Sequence, residues 1–204
     1  MKRKNNSLWV GILIILAGIS FIAFSLLKMN HESDLQEYTL KAAYKKVGLG
    51  SQKDKAQEEM QSVPPPKRME TFQTGDIIGI LSIPAIKSDL PIIEGTHEDD
   101  LAKGVGHYST SALPDQDNQI LLSGHRDTVF RKLGDLKTGD TLELKMPSQT
   151  FSYKIFKSYI VDKDNTTVIR DTSPKEILTL STCYPFSFVG NAPNRYVIEA
   201  ERIP

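Results

Sequence analysis

The chain has a single cysteine, Cys183, in 204 residues. That excludes any intramolecular disulfide and any cysteine-rich zinc site. It also lacks an excess of either charge. Lys+Arg and Asp+Glu are both 25, for a formal net charge of +0. Nucleic-acid-binding domains usually carry a basic surplus, so no nucleic-acid partner is expected. The histidines, His31, His97, His107 and His125, include no pair at metal-ligand spacing, and no metal site is expected from them. There is no internal repeat.

What is present in excess is one apolar run. Leu8 to Leu27 contains no charged residue. As a helix of about 1.5 Å per residue it would span roughly 30 Å, the thickness of a bilayer core. Lys2, Arg3 and Lys4 precede it, which by the positive-inside rule places residues 1–7 in the cytoplasm and everything after the run outside. Trp9 suits the interface. A cleaved signal peptide is the rival, but Ser25-Leu26-Leu27-Lys28-Met29 offers no small-x-small cleavage site. The expected organisation is a cytoplasmic N-terminus at 1–7, a single transmembrane signal anchor at 8–27, an extracytoplasmic stalk at 28–70 and a globular domain at 71–204. The stalk is charged. Leu35, Tyr38 and Ala42 allow a short helix, broken at Gly48-Leu49-Gly50-Ser51, and Pro64-Pro65-Pro66 is stiff.

The domain reads as mainly β. Strands are expected at Ile77–Ile83, Leu90–Ile93, Asn118–Ser123, Thr141–Met146, Thr150–Val161, Ile177–Cys183 and Arg195–Arg202, with a weaker one at Thr166–Ile169. Pro91 suits an edge position. The phase shift at Phe156 predicts a bulge. Thr96 to Lys103 is a helix candidate capped by Thr96, and a helical turn is expected from Val129 to Leu133. Seven or eight short strands with few helices mean a barrel or sandwich.

Cys183 ends one strand and His125 follows another. A thiol is a nucleophile only as thiolate. With ordinary pKa values, an independent Cys/His pair near pH 7 is thiolate plus imidazolium in about 1% of molecules. Cys183 is the candidate nucleophile, His125 the candidate acid/base, and Arg195 a permanent cation that can meet an oxyanion. Each has a plainer reading: Cys183 as a small buried hydrophobe, His125 as a loop histidine, Arg195 as a solvated strand end. His107 is a rival base. Asp127 suits a cap better than a triad acid.

Four segments together resemble the sortases, the membrane-anchored cysteine transpeptidases of Gram-positive bacteria. Thr179-Leu180-Ser181-Thr182-Cys183 resembles their Thr-Leu-X-Thr-Cys signature. Ser123-Gly124-His125-Arg126 resembles their histidine segment, and Asn194-Arg195-Tyr196-Val197-Ile198 their arginine-bearing last strand. Ile83-Pro84-Ala85-Ile86 with Leu90-Pro91-Ile92 resembles their first strand pair. They stand in the family's order over 75–204.

The resemblance implies a closed eight-stranded sortase β-barrel preceded by the membrane helix. It implies Cys183 as nucleophile, His125 as general acid/base and Arg195 as the oxyanion and substrate arginine, with Thr182, Ser181 and Tyr184 at the substrate. The implied reaction is cleavage of a sorting signal like Leu-Pro-X-Thr-Gly between Thr and Gly (or Ala), through a thioacyl enzyme resolved by a cell-wall amine. Gly104-Val105-Gly106-His107-Tyr108 with Ala112-Leu113-Pro114 looks most like class D; class A and class C specificities are the alternatives. No cofactor is required. Some family members bind calcium through loop carboxylates, for which Asp162, Asp164 and Asp171 are the candidates here. A tethered peptide-binding barrel without turnover is the reading from another functional class.

Overall fold

The computed structural model describes residues 5–49, 72–187 and 190–204, so Pro64-Pro65-Pro66 and the rest of 50–71 lie outside the described residues. The chain forms two compact units, 1–35 and 36–204. One helix, α1 (Asn5–Lys46), begins in the first and ends in the second. Side chains of the apolar run are described over residues 9–25. Among the described residues no helix is long and apolar enough to cross a membrane. The anchor expected over 8–27 is therefore not shown by the structure.

The second unit is built on eight strands: β1 (Ile77–Ile83), β2 (Ser88–Glu94), β3 (Val105–His107), β4 (Gln119–Ser123), β5 (Thr141–Lys145), β6 (Thr150–Asp162), β7 (Ile177–Tyr184) and β8 (Asn194–Ile203). They close in the order β1-β2-β3-β4-β7-β8-β6-β5. Closure satisfies every strand edge, and the alternation of each strand fills the interior. Ile78, Leu81, Ile92, Leu122, Leu142, Tyr153, Leu178, Leu180 and Ile198 all lie in the core cluster.

Two expectations are corrected, and one strand, β3, carries no signal in the sequence: three residues, one of them glycine, show no periodicity. Thr166–Val168 is a short 3-10 helix, not a strand. The β-branched Thr166 and Thr167 suggested a strand, but Asn165 Oδ1 accepts from Thr167 N at 2.9 Å and caps a turn instead. The helix expected at Thr96–Lys103 is the shorter α2 (Glu98–Leu101), with His97 at the cap. The register slips by one because the buried Asp100, and not Asp99, accepts from His97 N at 3.3 Å. The helical turn expected from Val129 to Leu133 is present as hydrogen-bonded turns, Arg131 N donating to Thr128 O at 3.3 Å and Leu133 N to Phe130 O at 3.0 Å, and it runs on into a 3-10 turn at Leu133–Asp135.

Pro91 sits in a barrel without an edge, yet its missing N–H leaves no gap. β1 pairs with it on one side, and β3 begins pairing only at Ile92. The bulge expected near Phe156 lies between Ile155 and Lys157.

The last turns of α1 pack on the barrel within the second unit. Thr39 and Ala43, one turn apart, are buried. Lys46 Nζ donates to Ile77 O at 2.6 Å, and the Tyr44 hydroxyl donates to Asp89. Gly48, at φ 72°, ends the helix in the left-handed conformation that glycine adopts freely. Burial and the Asp89 carboxylate push the Tyr44 hydroxyl up to about 12.

Candidate active site

β7 and β8 pair antiparallel, and the register sets Cys183 directly opposite Arg195. Cross-strand partners share a sheet face with Cβ atoms about 4.5–5.5 Å apart. Cys183 is half-buried and its thiol is free. Arg195 is half-buried too, and its Nη1 donates to Asn194 O at 3.1 Å and Ala192 O at 3.5 Å. A guanidinium has five donors, so this tether leaves others for a ligand.

Side chains alternate across the sheet. Leu178 and Leu180 point into the core, whereas Thr179, Ser181 and Cys183 share the outer face. Thr182 and Tyr184 therefore face opposite to Cys183. Tyr184 stacks on Tyr196 at 6.2 Å between ring centroids and meets Phe186 edge-on at 5.7 Å. Phe186 and Tyr196 rest on the core cluster, so the trio closes that end of the barrel.

His125 reaches this place through β4, which runs parallel to β7 with Ser123 beside Ser181. Just past the strand, Gly124 N donates to Ser181 O at 3.2 Å. The buried Thr182 hydroxyl donates to Gly124 O at 2.7 Å. Cys183 and His125 are thus each the next residue after two that bond to each other. Phe130 N donates to His125 O at 3.0 Å and fixes the far side. Position 124 has no room for a side chain, since a Cβ there would lie 2.7 Å from Val129 Cγ2 and 2.8 Å from Phe130 Cδ2. The half-buried His125 follows directly. Among the described residues no hydrogen bond joins the thiol to the His125 ring. Arg126 ties the segment to the β7–β8 connection, with Nη2 donating to Gly190 O at 2.9 Å.

The rival His107 is elsewhere in both place and role. It lies on β3, 2% exposed, with Nδ1 2.7 Å from Glu94 Oε2. Its Nε2 lies 3.0 Å from Ala112 O and 3.1 Å from Ser111 Oγ. It ties the 108–113 segment to the barrel. Asp127 contributes its backbone carbonyl, which accepts from Arg131 Nε at 2.8 Å.

The carboxylates considered for calcium are each used locally. Asp162 Oδ1 accepts from Asp164 N at 2.9 Å, Asp164 pairs with Lys163 at 2.8 Å, and Asp171 Oδ1 accepts from Ser173 N at 2.9 Å. Among the described residues no three His, Cys, Asp or Glu side chains group as metal ligands.

The sortase domain family model matches residues 81–203. The chain belongs to the sortase family. It is 46% identical over 197 residues to Sortase D of Bacillus subtilis (strain 168), covering 95% of this chain and 98% of that one. That relative agrees with the class D likeness of the Gly104–Tyr108 segment. A Clostridium perfringens Sortase D5 transpeptidase structure superposes with a TM-score of 0.67 at 24% identity, covering 84% of this chain and 99% of that one, and so shares the fold. Sortase C-1 from Actinomyces oris superposes at 0.58 with 30% identity, over 63% and 76% of the two chains. This sortase is a cysteine-type transpeptidase, and it has one cysteine to use.

Proposed function

We propose that this sortase cleaves a C-terminal sorting signal of the Leu-Pro-X-Thr-Gly kind between Thr and Gly (or Ala), and passes the acyl half to a cell-wall amine. The observation that carries this reading is the pairing of Cys183 with Arg195, beside a His125 segment bonded to the residue preceding Cys183.

The Cys183 thiolate attacks the threonine carbonyl carbon, and the carbonyl oxygen gains the charge. Arg195, across the strand pair, supplies a cation and hydrogen-bond donors to it. The C–N bond then breaks, with His125 giving its proton to the leaving amine. A thioester on Cys183 remains. An incoming amine attacks it, His125 takes the amine's proton, and collapse forms the new amide and expels the Cys183 thiolate, restoring the starting pair. The sequence of steps uses side chains alone.

Membrane anchoring belongs to the same proposal. Over residues 9–25, Trp9, Leu13, Ile14, Phe21 and Phe24 are all exposed, and a helix apolar around its whole circumference is suited to lipid. With Lys2, Arg3 and Lys4 before it, the orientation is N-terminus inside and catalytic domain outside. That is where exported substrates emerge.

A peptide-library cleavage assay with mass-spectrometric readout tests the specificity. Cleavage between Thr and Gly (or Ala) in signals carrying Leu-Pro is expected; cleavage that ignores those positions would reject the assignment.

A further inference from the structure

Three rows of residues lie on the outer face of β4, β7 and β8. Leu121, Thr179 and Glu199 form the first, Ser123, Ser181 and Val197 the second, and Cys183 and Arg195 the third. The first and third are four residues apart along β7, about 13 Å at strand rise. Ser123, Ser181, Cys183 and Arg195 are half-buried, whereas Thr179 is fully buried and Glu199 is 1% exposed. The 163–176 connection between β6 and β7 binds residues at this covered end.

Its attachment is made by side chains distant in sequence. Arg170 Nη2 lies 2.7 Å from Glu199 Oε1, and the Tyr159 hydroxyl donates to the same oxygen at 2.8 Å. Lys157, opposite Glu199 in the register, lies over the Tyr159 ring at 4.3 Å. The buried Gln119 uses both ends of its amide. Oε1 accepts from Arg170 N at 2.9 Å; Nε2 donates to Val168 O at 2.8 Å and to Thr179 Oγ1 at 3.0 Å. Asn118 Oδ1 accepts from Thr172 N at 2.9 Å. The connection is therefore pinned at 168, 170 and 172. Glu199 is a carboxylate buried in a sheet face, a position tolerated only with a cation and hydrogen bonds beside it. The cation comes from the connection itself.

We propose that Arg170 and Glu199, with Gln119, form a positioning clamp that fixes the 163–176 connection at the end of the strip leading to Cys183. The surface an acyl-donor peptide meets there is then set before the peptide arrives, by an internal guanidinium and not by a bound divalent cation. The role assigned to the peptide rests on the transpeptidase reading above; the clamp itself does not.

Hydrogen exchange resolved over 163–176, read beside peptide kinetics, tests it. In the wild-type protein, exchange of this segment should be the same with calcium and with EDTA. In Arg170→Ala it should rise about tenfold or more, with β7 and β8 amides unchanged. KM for a sorting-signal peptide should rise about tenfold, with kcat within about twofold, because the reacting groups stay in place. The rate of Cys183 alkylation should not move. Glu199→Gln, which keeps shape and acceptor but loses the charge, should loosen the same segment and provides the reading if Arg170→Ala does not fold. Unchanged exchange in both variants would overturn the clamp, as would wild-type exchange slowed by calcium. Loss of the whole barrel in both would overturn it too, since the pair would then hold the fold and not the connection. If the wild-type protein turns over no sorting-signal peptide, the transpeptidase reading fails while the exchange data still decide the clamp.

Discussion

Thr182 donates its hydroxyl to the Gly124 carbonyl at 2.7 Å, and the two residues that follow them are Cys183 and His125. This one buried bond couples the end of β7 to the segment after β4. Replacing Thr182 with Val keeps the shape and leaves the Gly124 carbonyl without its side-chain donor, at a cost of about 1–3 kcal/mol. The expected outcome is lower kcat, through displacement of His125, with KM for the sorting-signal peptide within about twofold. Thr182→Ser, which keeps the donor, should recover most of kcat. Equal activity of the Val and Ser variants would show that the bond does not position the histidine.

Gly124→Ala should be destabilising by about 1–3 kcal/mol, because its Cβ has Val129 and Phe130 within 3 Å and the buried neighbours must shift. Thermal or urea unfolding measures this. A variant as stable as the wild type would mean that the 124–130 turn yields without cost.

The His107–Glu94 pair is expected to act on stability alone. Glu94→Ala removes the hydrogen-bond partner of the buried Nδ1, and leaving a buried polar group unpaired costs about 1–3 kcal/mol. Cys183 alkylation in the protein that remains folded should match the wild type. A large change in thiol reactivity would return His107 to the list of candidate bases.

Tyr44 provides a pH dependence with a definite sign. Its folded pKa is raised to about 12, so its contribution is full below the ordinary tyrosine value near 10 and is lost as pH rises through about 12. Tyr44→Phe should cost about 1 kcal/mol at neutral pH through the lost bond to Asp89. The difference from wild type should shrink as pH rises above about 10. Melting temperatures of both proteins across that range measure it; a constant difference would contradict the assignment.

The sequence exposed the strands that alternate strongly, and with them the three candidate site residues Cys183, His125 and Arg195. Long strands such as β6 and β7 carry enough period-2 signal to be placed within a residue or two. Val105–His107 carries none, and its strand exists because β2 and β4 flank it. Leu35, Tyr38 and Ala42 signal a helix in this stretch but not its docking, which buries Thr39 and Ala43. Gln119, Arg170 and Glu199 were not singled out at all. Gln119 lies 51 residues from Arg170 and 60 from Thr179, Arg170 and Glu199 are far apart in sequence too, and an outward-facing Glu on a strand reads as solvated until something covers it. Arg195 was legible as a candidate; that it stands opposite Cys183 is a fact of register.

The central claim is that Cys183 carries the acyl group from a sorting signal to an amine. The most direct measurement is intact-mass and product analysis of the wild-type protein incubated with a Leu-Pro-X-Thr-Gly peptide and an amine acceptor. The predicted result is an acyl adduct on Cys183 and a ligated peptide–amine product, both absent in Cys183→Ala. Ligated product formed by the Cys183→Ala protein, or cleavage by the wild type with no adduct and no ligation, would contradict it.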